Sequence, residues 1–128
     1  MKNWSIHFYF EDNFDWKKLE KPFMEIFDAI KGDKKLIPED EQQVMVKYEL
    51  NLRELRNGKK PLGFYSDQTD LSLLFPIDRK EMILNKLSPS ESIHEYGEKI
   101  SKILKAAKIK FKVDYDKMLL IEVIKSRK

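Results

Sequence analysis

The feature that most constrains the fold is an alternating stretch near residue 110. Its apolar positions are Ile109, Phe111, Val113 and Tyr115, and lysines and an aspartate stand between them. A period of two residues is typical of a β-strand with one buried and one solvated face. After Asp116-Lys117, the almost continuous aliphatic run 118–124 predicts a central strand that forms a hairpin with the first one. We therefore expect a sheet against which the helices must pack.

The first half of the chain contains stretches with the strand period of two residues and a stretch with helical spacing. Residues 4–10 alternate between apolar and polar, which predicts a strand. Apolar residues spaced three and four apart between positions 16 and 30 predict a helix over 14–31, with a kink or a fresh start at Pro22. Alternation over 44–53 predicts a longer strand with a solvated outer face, and Asn57-Gly58 predicts a hairpin turn after it.

Residues 62–65 and 71–75 are expected to form two shorter strands. Asp78 and Glu81 have the spacing of a capping box, which predicts a short helix over 79–87. Ser88-Pro-Ser-Glu91 then has the pattern of a second helix start, and the apolar spacing after it predicts a long helix. Gly97 lies on the buried side of that helix, where we expect it to allow a close approach to another element.

Together these elements predict one α+β domain over residues 1–128. The expected architecture is a two-layer sandwich, in which a largely antiparallel sheet of about five to six strands has its helices packed on one face. A ferredoxin-like core with additional strands is one specific version of this arrangement.

Composition excludes some classes of site. The chain has no cysteine, so disulfides and thiolate metal sites are excluded. Two histidines and scattered glycines give neither a metal site nor a phosphate loop, so we expect no cofactor. The first residues lack the apolar core of a secretory signal, and no apolar run is long enough to span a bilayer. A cytoplasmic protein that does not associate with membranes is the expectation.

Both histidines follow Ser-Ile, at His7 and His94. This repeated Ser-Ile-His resembles the twin motifs of the two-histidine phosphoesterases, in which a serine or threonine two places after each histidine orients the phosphate. Tyr9 and Tyr96 occupy those places here, and His94 is expected on a helix where that family has a strand. The sequence therefore predicts no catalytic residue, with His7 on the outer face of the first strand and His94 on the polar side of the long helix.

Charge patterning favours recognition of another protein. Lys47, Glu49 and Arg53 share the outer face of the predicted strand 44–53, and an acidic run precedes it: Glu39, Asp40 and Glu41. Charges of both signs on an exposed surface favour binding by charge complementarity. We expect a small non-catalytic binding protein, for example an inhibitor or immunity-type protein directed at a toxin or an enzyme.

The alternative is a nucleic-acid-binding domain. Residues 99–128 contain 10 Lys and Arg but only 3 Asp and Glu, whereas residues 1–98 contain 15 and 19. Lys108, Lys110 and Lys112 are expected on one face of the alternating strand, and Tyr9 on the first strand could stack on a base. Lysines on an edge strand also prevent sheets from aggregating, so this pattern has a structural explanation as well.

Overall fold

A computed structural model describes residues 3–31, 37–64, 71–90 and 93–115 of the chain. Four strands are present within these ranges: β1 (Asn3–Phe10), β2 (Ser72–Leu74), β3 (Glu81–Ser90) and β4 (Phe111–Tyr115). The helices are α1 (Glu20–Lys31), α2 (Pro38–Arg56) and α3 (Ile93–Ala106), and a 3₁₀ helix over Trp16–Leu19 precedes α1. The strands form one open sheet in the order β2-β3-β1-β4, and every neighbouring pair is antiparallel. The predicted α+β class is confirmed, and the described residues form four strands where five to six were expected of the whole chain.

The hydrophobic core lies between one face of the sheet and the helices. Ile6, Phe8 and Phe10 alternate along β1 and are buried in one cluster with apolar residues from all three helices. The helical stripe predicted from the sequence is confirmed, since all its members are buried: Trp16, Leu19, Phe23, Ile26, Phe27 and Ile30. Each such side chain contributes about 1.5–3 kcal/mol when it leaves water. The expected fresh start near Pro22 is also seen, because α1 begins at Glu20.

The second face of the sheet is also buried at its centre, which the sequence did not predict. Ser5 and His7 on β1, together with Glu81 and Ile83 on β3, each expose 5% or less of their surface. The prediction that His7 lies on a solvated face is therefore wrong. Polar residues at this depth must find hydrogen-bond partners, because an unpaired buried polar group costs about 1–3 kcal/mol.

Residues 44–53 form part of helix α2, so the strand predicted there is wrong. Apolar residues stand at every even position from 44 to 52, which imitates strand alternation. The buried side chains instead follow helical spacing: Val44, Tyr48, Asn51, Leu52 and Leu55. Pro38 at the helix start and three acidic residues in the first turn are favourable at a helix N-terminus. Most residues of 38–56 are also strong helix formers, and these local preferences decide the outcome.

The Asn57-Gly58 pair ends α2 and does not form a hairpin. Gly58 has a φ of 71°, and its N–H donates to the carbonyl of Leu55 at 2.9 Å. A left-handed glycine after the last turn is the common way to terminate a helix. Of the predicted strand 62–65, the described residues 62–64 contain a single bridge, between Phe64 and Leu73, and residue 65 lies outside the described ranges. Strand β2 confirms the strand predicted over 71–75.

The short helix predicted over 79–87 is wrong, because β3 covers this region. Met82, Ile83 and Leu84 are buried on alternating faces of a strand that pairs with both β1 and β2. Ile77, which precedes the expected capping residue Asp78, is 91% exposed. The helix start predicted at Ser88 is also wrong, since α3 begins at Ile93 and residues 91–92 lie outside the described ranges.

Strand β4 is shorter than predicted. Lys108 has a φ of 61° in the turn after α3, and the strand begins only at Phe111. Val113, expected to be buried, is 41% exposed on β4, which is an edge strand within the described part of the sheet. The central strand predicted over 118–124, and its hairpin with β4, lie outside the described residues.

Candidate functional site

All six residues predicted to meet a protein partner lie on helix α2. Glu39, Asp40 and Glu41 form its first turn, and Lys47, Glu49 and Arg53 follow on its exposed sides. The secondary structure predicted for residues 44–53 was wrong, but the predicted exposure was right. Five of the six residues are exposed and Asp40 is half-buried. Asn51, which lies between Glu49 and Arg53 in the predicted strand 44–53, is buried.

Three apolar side chains are also exposed on α2. Met45, Val46 and Leu50 expose 45%, 54% and 38% of their surface, respectively. Val46, Leu50 and Arg53 follow each other at spacings of four and three, so they form one line on the side away from Tyr48 and Leu55. We call this line, with Met45, Lys47 and Glu49 beside it, the α2 outer face. It runs from an acidic first turn to a last turn that carries Arg53 and Arg56.

Helix α2 is held firmly beneath this face. The ring of Tyr48 packs against Phe23 and Phe27, with ring centroids 5.8 and 5.2 Å apart. Burial raises the pKa of Tyr48, the charge of Glu49 raises it further, and Arg56 opposes the shift. The phenol therefore stays neutral to a higher pH than an exposed tyrosine would.

Asn51 attaches the chain after α2 to the helix. Its amide group donates to the carbonyls of Lys47 and Gly63, at 2.8 and 3.1 Å, and its carbonyl accepts from the Gly63 N–H at 2.7 Å. Gly63 has a φ of 92°, and an added Cβ there would lie 2.7 Å from the carbonyl oxygen of Leu73. The segment also positions Phe64, over whose ring Lys47 Nζ lies at 5.0 Å from the centroid. Lys47 is thus directed to the side of the α2 outer face.

The residues of the nucleic-acid alternative are brought together only in part. Tyr9 and Lys112 are direct partners across β1 and β4, and both line a cleft of about 450 Å³ with Lys110 and Phe111. Lys108 and Lys110 both precede β4 and line a neighbouring cleft, so Lys112 alone of the three lies on the strand and the predicted common strand face is wrong. Glu11 and Asp12 also line the larger cleft, so its charge is mixed.

A buried polar chain on the second face of the sheet was missed by sequence reasoning. Ser5 Oγ lies 3.0 Å from Nε2 of His7, and His7 Nδ1 lies 2.7 Å from Oε2 of Glu81. Arg79 Nη1 approaches Oε1 of Glu81 at 3.4 Å, although Oε1 accepts no hydrogen bond from the part of the chain that is described. The Ser-x-His spacing on a strand was a usable signal, because residues two apart share one face. Glu81 could be found only from the register of β1 and β3.

The two histidines of the repeated Ser-Ile-His are not brought together. His7 lies on the second face with Ser5 and Glu81. His94 is half-buried on α3, where its ring stacks on Tyr115 with the centroids 4.3 Å apart. Tyr115 pairs with Ile6 and therefore shares the core side of the sheet. The two motifs thus do not form a common site.

Over residues 3–31, 37–64, 71–90 and 93–115, no group of three or more acidic or histidine side chains is placed to hold a metal ion. Within the same ranges, the helices are too short or too polar to cross a membrane. Comparison with models of protein families, with curated proteins and with solved structures gives no significant match.

Proposed function

We propose that this chain is a protein-binding domain and that the α2 outer face is its docking surface. One observation carries the proposal: Met45, Val46 and Leu50 are exposed side by side, between an acidic helix start and a basic helix end. Apolar side chains at the centre of a patch with charges around it are the usual anatomy of a protein interface.

The partner is a different protein whose surface complements this helix. It would offer an apolar strip to Val46 and Leu50, with basic side chains near Glu39 and acidic side chains near Arg53. Such complementarity sets the orientation of the complex and accelerates association, and both effects weaken as salt is added. The inhibitor or immunity-type role, and the cytoplasmic location, stay predictions from the sequence.

The test compares three forms of the chain as bait in an extract of its native host. The Val46→Glu/Leu50→Glu variant disrupts the α2 outer face. The control, Met24→Glu/Ile77→Glu, changes two apolar residues elsewhere that are also exposed, by 53% and 91%. We expect one stoichiometric protein to be retained by the wild type and the control and lost by the α2 variant. With that protein purified, Arg53→Glu should weaken binding by about five-fold or more at low salt.

Two results would overturn the proposal. One is the absence of any stoichiometric protein whose binding the α2 variant abolishes. The other is a dimer of the chain, seen by sedimentation, that Val46→Glu/Leu50→Glu dissociates, because the surface would then belong to a second copy and not to a different protein.

A second candidate, single-stranded nucleic acid, is favoured by the pairing of Tyr9 with Lys112. Cross-strand partners have Cβ atoms about 4.5–5.5 Å apart, so a base stacked on Tyr9 would have its phosphate within reach of Lys112 and Lys110. If this holds, Lys108→Glu/Lys110→Glu/Lys112→Glu should reduce both the affinity for mixed oligonucleotides and its salt dependence. Tyr9→Ala should cost about 1–3 kcal/mol of binding. Unchanged binding in both variants would exclude the candidate.

We also propose that the fold is a two-layer, ferredoxin-like core with α2 as an addition. The alternation of strand, helix, two strands, helix and strand supports this, as does the antiparallel order β4-β1-β3-β2.

A further inference from the structure

The polar chain on the second face of the sheet has the connectivity of a serine nucleophile with its base. A carboxylate can only accept hydrogen bonds, so Nδ1 of His7 carries the hydrogen that is donated to Glu81. In the neutral imidazole Nε2 is then the acceptor, and the hydroxyl of Ser5 donates to it. With the imidazole of His7 neutral, the hydroxyl proton of Ser5 points to the group that would remove it.

We propose that Ser5, His7 and Glu81 form a hydrolytic site for small acyl esters. The three residues meet the geometric test for such a site, since nucleophile and base are 3.0 Å apart and base and orienting acid are 2.7 Å apart. All three side chains come from β1 and β3, the two central strands, which hold them more rigidly than loops would. This proposal does not rest on protein binding by α2.

The reaction divides into two balanced steps. In the first, Oγ of Ser5 attacks the carbonyl carbon, its proton passes to Nε2 of His7, and the alkoxide leaves with that proton. In the second, water attacks the acyl-serine, again losing a proton to Nε2, and Ser5 recovers its proton as the carboxylic acid departs. Glu81 stabilises the imidazolium formed in each step and keeps Nδ1 protonated. No other reactant is needed.

The neighbours of Ser5 define the substrate. Asn85 lies directly opposite Ser5 on β3 and is only half-buried, so its amide could donate to the oxyanion. Ser5 itself exposes only 5% of its surface, which excludes a long acyl chain and limits the substrate to the smallest esters. Acetyl esters of small neutral alcohols or phenols are therefore the expected class.

The test uses p-nitrophenyl acetate with the full chain. We expect a burst of about one equivalent of nitrophenol per chain and an acetyl group on the peptide that contains Ser5, found by mass spectrometry. Ser5→Ala should abolish the burst and lower the rate by about a hundred-fold or more, and Glu81→Gln should lower it while leaving Ser5 slowly acetylated. Ser72→Ala is the matched control, because Ser72 is a similarly buried serine of the same sheet and should keep full activity.

The outcome is decisive even if a variant folds poorly. Acetylation of wild-type Ser5, trapped at acid pH, supports the site without any variant. Acetylation confined to lysines, an absence of any burst, or a rate that Ser5→Ala leaves unchanged in a folded chain would overturn the proposal and leave the three residues as a structural hydrogen-bond chain.

Discussion

Gly97 on α3 faces the ring of Tyr115 on β4 so closely that residue 97 has no room for a side chain. A Cβ atom added there would lie 3.1 Å from Cζ of Tyr115 and nearer still to its hydroxyl oxygen. The ring of Tyr115 also stacks on His94, which limits its movement. The close approach that the sequence predicted at Gly97 is confirmed.

Gly97→Ala should therefore destabilise the protein despite a better helix former at that position. Overpacking typically costs 1–3 kcal/mol, whereas alanine gains about 1 kcal/mol over glycine inside a helix. We expect a net loss of about 1 kcal/mol in the free energy of unfolding, measured by urea denaturation. In a Tyr115→Ala background the same substitution should become neutral or stabilising, and a loss of equal size in both backgrounds would contradict the explanation.

Asn51→Leu should be more damaging, because it leaves two backbone groups of Gly63 without their partner. Each unpaired group costs about 1–3 kcal/mol, so we expect a loss of about 2–4 kcal/mol in urea denaturation. Asn51→Asp keeps an acceptor for the Gly63 N–H but removes the donor to the Gly63 carbonyl. Its free energy of unfolding should therefore lie between those of the wild type and Asn51→Leu. Asn57→Ala, at an exposed position of the same helix end, should change stability by about 0.5 kcal/mol or less. Equal losses at positions 51 and 57 would be inconsistent with this account.

Stability should fall at alkaline pH through Tyr48. Burial raises the pKa of this phenol above its usual value of 10.0, so above pH 10 the unfolded chain loses the proton while the folded chain keeps it. The stabilisation is complete below pH 10 and is lost as the pH rises toward the folded-state pKa. In the Tyr48→Phe variant, the free energy of unfolding should depend less on pH between pH 9 and 11.5 than it does in the wild type. The pKa of Tyr115 is raised by burial too, so part of the dependence should remain.

The ion pair of Arg56 with Glu20 should contribute much less to the free energy of unfolding than the hydrogen bonds of Asn51. The two side chains are 57% and 39% exposed, and Nε lies 3.1 Å from Oε2. Solvated pairs of this kind are typically worth about 0–1 kcal/mol. Arg56→Ala should accordingly shift the free energy of unfolding by less than about 1 kcal/mol, with less effect at high salt. A loss as large as that of Asn51→Leu would show that Arg56 has another structural role.

The parts of the fold that were predicted correctly are those with a single consistent periodicity. The stripe from Trp16 to Ile30 and the apolar side of α3 match only a helix, and 4–10 matches only a strand. Residues 44–52 match both periods, because Val46 and Leu50 complete the alternation of a strand face. In the structure these two residues are exposed on a helix. Local helix signals at Asp78 and Glu81 were overridden by the pairing of β3 with β1, which sequence patterns do not show.

The candidate sites could be predicted from the sequence only where local polarity decides, and not where strand register does. Exposure of charged side chains can be predicted from polarity alone, so Lys47, Glu49 and Arg53 were placed on the surface correctly. The partnership of His7 with Glu81 joins residues 74 positions apart and depends on strand register. No local pattern carries that information, which is why the hydrogen-bond chain was missed.

The position of β1 between β3 and β4 also determines the order in which the protein can assemble. Ribosomes make β1 first, yet its two neighbours in the sheet are translated some seventy and one hundred residues later. Such distant pairings raise contact order and slow folding. Strand β1 therefore has neither of its two neighbours in the described sheet available until residues 81–90 have left the exit tunnel.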